Sequence, residues 1–130
     1  MVQRLVRIAA GLLGLLLAVP FALRWLFEPE AMSAEQGISL SGPAALSHMR
    51  GDTGGAFLAV GALVLLGLWR SEPGYLEAVA LIMVCIVAGR LFGIALDGFD
   101  PHVGVAMAVE LATAAVSYTT ARQLRWPASS

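Results

Sequence analysis

The stretch that decides the fold begins at Gly89-Arg90-Leu91-Phe92-Gly93, turns at Asp97-Gly98-Phe99-Asp100-Pro101-His102 and continues from Val103 to Glu110. Two apolar runs flank a short acidic turn, with an arginine before it and a glutamate after it. At about 1.5 Å of helical rise per residue, each charge lies about 10–12 Å from the turn. Two antiparallel membrane helices would therefore carry opposite charges at equal depth, and the spacing predicts an Arg90–Glu110 ion pair. An arginine at the bilayer centre costs about 2.5–3.5 kcal/mol on insertion scales, so Arg90 needs a partner or water.

The surrounding chain is apolar enough for this reading. Its 130 residues are 58% hydrophobic and 13% charged, with a mean hydropathy of +0.80, whereas soluble domains are about 25% charged. The fold class expected is all-α: a single-domain integral membrane antiparallel four-helix bundle with spans near 5–27, 50–69, 75–96 and 103–124. A net charge of −1 argues against nucleic acid as a partner, because phosphate binding needs a basic surface. Cys85 is the single cysteine, so no intrachain disulfide forms, and its apolar neighbours make it a small packing residue.

Taken in order, the first span is longer than a signal-peptide core and lacks a small-x-small cleavage site, so it reads as a retained helix. Pro20 should kink it or unwind its outer end, and Trp25 and Phe27 should mark the outer interface. A polar connection from Glu28 to Ser41 follows. Ser41 as N-cap and Pro43 in the first turn open the next helix. Gly51, Gly54, Gly55, Ala59 and Gly61 there form a small-residue surface for close packing, and Gly89 and Gly93 offer a second such pair. In the last helix, Glu110, Thr113, Ser117 and Thr120 recur at helical spacing, which directs these polar groups into the bundle. Orientation follows from the arginines. Arg4, Arg7, Arg70, Arg122 and Arg125 share one side, with Arg50 opposite, so both termini are expected in the cytoplasm.

Met49-Arg50-Gly51-Asp52-Thr53-Gly54-Gly55, Gly89-Arg90-Leu91-Phe92-Gly93 and Val109-Glu110-Leu111, in this order and spacing, resemble a family of small bacterial four-helix membrane proteins of unknown function. That family is similar, distantly, to the DoxX-type four-helix proteins. The resemblance covers nearly the whole chain. It implies a four-helix bundle in a bacterial inner membrane and brings no activity with it.

A polar cluster at the outer end is the candidate site: Arg24, Arg50, Asp52, Arg90, Asp97, His102 and Glu110. Arg90 and Asp97 are seven apart and share a helical face. Three arginines beneath an outer loop suit an anionic headgroup, a carboxylate or a quinone oxygen, with apolar helices around its tail. The plainer reading is a structural Arg90–Glu110 lock between helices. Asp97, Asp100 and His102 have metal-compatible donors, but Asp100 before Pro101 fits an N-cap, and no metal or cofactor is expected. The expected role is noncatalytic: binding a lipid-like or apolar small molecule, or supporting a membrane complex. The alternatives are an enzyme using Glu110 as acid or base beside Arg90, and an oligomeric transporter. Expected partners are membrane lipids, an apolar ligand, and further copies or subunits in an assembly.

Overall fold

The computed structural model describes residues 2–126 and contains helices and no strands among them. Four helices are long and apolar enough to cross a membrane: α1 (Gln3–Phe27), α3 (Gly42–Arg70), α4 (Pro73–Asp97) and α5 (Pro101–Arg125). A short helix, α2 (Pro29–Ala34), lies in the polar connection. Helix α1 packs on α3 and α5, α3 packs on α4, and the most extensive contact joins α4 to α5, so the four long helices close a ring. The common core includes Leu17, Val60, Val64, Leu76, Val79 and Met83.

Pro20 acts as its chemistry requires. It has no N–H for an i to i−4 bond, and the helix widens into a π turn over Leu17–Phe21, with the Ala22 N–H reaching back to the Leu17 carbonyl. A second π stretch, Met49–Gly55, occupies the start of α3. Such turns concentrate where the regular ladder gives way to local demands. Here they bring Phe21 and Phe57 into an edge-to-face contact at 4.7 Å.

Helix ends follow local chemistry. Asp100 is the N-cap of α5 with Pro101 behind it, and its Oδ1 accepts the His102 N–H at 2.8 Å. The backbone N–H of His102, together with its imidazole, holds the Asp100 carboxyl below the usual carboxylate range. Gly98 makes the turn before it at φ +96°, where side-chain-bearing residues are strained. Ser41 occupies the N-cap position of α3 with an extended backbone, but its side chain makes no capping hydrogen bond, so the expected cap is one of position only.

The small residues divide sharply. A methyl at Gly61 would lie 2.6 Å from the Ala18 amide nitrogen and 2.7 Å from the Gly14 carbonyl, and one at Gly54 would meet Trp25 and Leu26. Gly61 is thus where α1 and α3 touch backbone to backbone. Gly51, Gly89 and Gly93, by contrast, face open space, so the expected close packing at the Gly89–Gly93 pair does not occur within the chain. The polar stripe on α5 is as expected: Glu110, Thr113, Ser117 and Thr120 are all buried. Leu12, Leu81, Leu91, Phe92 and Leu96 are exposed on the outer surface. Trp25 departs from the reading of it as an interfacial residue, since it is only 2% exposed. The reason is geometric: it stands on the face of α1 that meets the glycine-rich start of α3, where the missing side chain of Gly54 leaves it room.

Gly61→Ala should lower stability by about 1–3 kcal/mol despite alanine's better helix propensity, because the new methyl has backbone rather than flexible side chain against it. Gly89→Ala should be neutral or stabilising. Thermal unfolding midpoints in the same detergent test this contrast, and an unchanged or raised midpoint for Gly61→Ala would remove the close contact from the account.

Candidate functional site

The Arg90–Glu110 pair forms where the spacing placed it. Arg90 Nε donates to both Glu110 carboxylate oxygens at 2.9 Å, and Nη2 approaches Oε1 to 2.7 Å. The burial is unequal: the Glu110 side chain is 4% exposed and that of Arg90 32%. Glu110 therefore depends on its partner for charge compensation, while the arginine keeps an open edge. Among the described residues the guanidinium makes no further hydrogen bond, so Nη1 and one proton of Nη2 stay free as donors. Both Glu110 oxygens are taken by Arg90, and proton transfer to a guest would require the pair to part.

The pair stands on the wall of a cavity of about 510 Å³, within the range of roughly 300–1,000 Å³ typical of small-molecule sites. The wall is mainly apolar, with Phe21, Met32, Phe57, Met83, Val105 and Val109 among its members. All four long helices contribute to it. The connection after α1 also takes part, through Met32, Glu35, Gln36 and Ile38. Arg24 secures that connection, donating from Nη2 to Glu35 Oε1 at 2.7 Å and lying 3.6 Å from Glu28. Trp25 also lines the cavity, and its buried indole N–H has no hydrogen-bond partner.

Of the seven residues singled out in the sequence, Arg24, Arg90, His102 and Glu110 line this cavity, whereas Arg50, Asp52 and Asp97 do not. Arg50 Nε donates to the Leu26 carbonyl at 2.9 Å. It thereby satisfies a C-terminal carbonyl of α1, a position where a cation also complements the helix dipole. Asp52 lies 3.1 Å from His48 Nδ1 on the surface. Asp97 is exposed, and it is Glu110, not Asp97, that engages Arg90. His102 Nδ1 sits 2.8 Å from Asp100 Oδ1, which spends the turn's donors on capping α5. Trp25, Glu35 and Gln36 escaped the sequence reading as site residues. Glu35 and Gln36 gave no periodic signal, belonging to an irregular connection, and Trp25 next to Phe27 carries the composition of an interfacial belt.

Residues 5–121 match the family described as Domain of unknown function, DUF4345. The chain belongs to that family. No curated protein and no solved structure matches it. The part that matches DUF4345 contains every cavity residue named above, including Arg90 and Glu110.

Removing one member of the pair should cost more than removing both. Arg90→Leu leaves a buried carboxylate without a partner, and Glu110→Leu leaves a half-buried guanidinium, whereas the double substitution leaves neither. The coupling energy in this cycle should lie at about 1–3 kcal/mol. Denaturation of the four proteins in one detergent measures it; additive losses would mean that the contact contributes no coupling.

Proposed function

We propose that this DUF4345 protein is an integral membrane protein of the bacterial inner membrane that holds a lipid-like or apolar small molecule in its cavity without transforming it. Four antiparallel spans, both termini in the cytoplasm and a cavity opening toward the outer face belong to the same proposal. The observation that carries the reading is the combination of a largely apolar cavity with one charge-assisted arginine at its wall whose outer edge is free. Such a wall accommodates a tail and orients a head.

Several features support the membrane setting. Large apolar side chains cover the outside while Glu110, Thr113, Ser117 and Thr120 are buried, the reverse of what water favours. The antiparallel arrangement is supported by two ion pairs on the same helices: Arg90 with Glu110, and Glu77 with Arg125 at 2.6 Å. The orientation rests on the arginine bias, and the bacterial membrane and DoxX-like kinship rest on the motif resemblance. An engineered cysteine at Glu35, in a Cys85→Ala background, should react with an impermeant reagent on intact cells; labelling only after lysis would invert the topology.

Native mass spectrometry of gently purified protein, with lipid extraction, tests the binding reading. Wild type should retain a defined molecule that Arg90→Ala and Glu110→Gln lose while remaining folded. If wild type carries only bulk lipid and the variants merely lose stability, the pair is structural and the binding reading fails.

A further inference from the structure

The charges in the cavity wall restrict the guest further than its apolar character does. The wall contains two arginines, Arg24 and Arg90, and two carboxylates, Glu35 and Glu110, and so carries no net charge with His102 neutral. Each arginine is already matched, Arg24 by Glu35 at 2.7 Å and Arg90 by Glu110 at 2.7 Å. A phosphate or sulfonate entering here gains no uncompensated cation and meets two carboxylates. A guest with a cationic head meets two guanidinium groups and finds Glu110 closed off by Arg90. Neither ion recovers the hydration it gives up.

At the Arg90–Glu110 pair, what is left unspent is donor capacity. Arg90 keeps its Nη1 protons and one on Nη2. The Thr113 hydroxyl proton is committed to the Val109 carbonyl at 2.8 Å. Met32, Met49 and Met83 give the surrounding wall an adaptable apolar surface. From this balance, and resting on the binding role proposed above, we infer that the cavity takes an uncharged amphiphile whose head is a hydrogen-bond acceptor, such as a ketone, ester or amide carbonyl, received by the free edge of Arg90.

Three photoreactive probes of equal chain length, each with a diazirine in the chain, test this in the full-length protein in lipid nanodiscs: a methyl ketone, an alkyl sulfonate and an alkyl trimethylammonium. Cross-linked peptides containing Phe57, Met83 or Val109 report occupancy. The ketone should label them at least about tenfold more than either ion, the difference expected from one charge-assisted hydrogen bond. Glu35→Gln, an exposed change that leaves the wall with one excess positive charge, should raise sulfonate labelling. Sulfonate or ammonium labelling equal to that of the ketone in wild type would overturn the neutral-guest inference while leaving a binding cavity. Absence of cavity labelling by all three would overturn the cavity's binding role itself.

Discussion

A carboxylate at 4% exposure is the constraint to which the rest of the structure answers. An ionised carboxyl cannot remain inside an apolar bundle without compensation, and Glu110 obtains it from one residue on one neighbouring helix. Meeting that need fixes the rotation of α5 toward α4 and their relative height. Once these are set, Thr113, Ser117 and Thr120 fall on the same inward stripe. Thr113 and Thr120 donate to carbonyls one turn back on their own helix, and so need no partner across the bundle. The pair also determines which face of α4 turns outward, which is why Gly89 and Gly93 look into open space.

The opposite wall is organised by space rather than charge. Gly61 lets α1 and α3 meet at backbone distance, and Gly54 makes room for Trp25 and Leu26. Higher up, π turns on both helices loosen the regular packing and help set Phe21 and Phe57 at the cavity wall. Close contact at one end and charge compensation across the ring leave a gap between them. Arg24 then anchors the connection after α1 beside it, through Glu28 and Glu35.

Much of this architecture was legible in the sequence where a single strong rule applied. Helix length and hydropathy gave the four long helices, equal offsets from an acidic turn gave Arg90 with Glu110, and Asp100-Pro101 gave the start of α5. Other features depend on several rules acting together, and there the sequence was silent or misleading. Trp25 carries the composition of an interfacial belt residue, yet the glycine opposite it on another helix draws it inside. Arg50, grouped with the site by its charge, turns to the Leu26 carbonyl because that helix end lacks a donor. Glu35 joins the cavity through an irregular connection whose path no periodicity encodes. The three arginines that suggested an anionic guest are each engaged, so the charge available to a ligand is set by their partners and not by their number.

The distance between the Arg90 guanidinium and the Glu110 carboxyl carbon in a lipid bilayer, measured by solid-state NMR on protein labelled with nitrogen-15 and carbon-13, decides whether this pair sets α4 against α5. The ion pair should give a strong dipolar coupling between Arg90 Nε and the Glu110 carboxyl carbon, consistent with the two 2.9 Å hydrogen bonds, from a carboxyl with the chemical shift of an ionised group. A missing coupling, or a carboxyl shift of the protonated acid, would contradict it. The pair would then not be what sets α4 against α5.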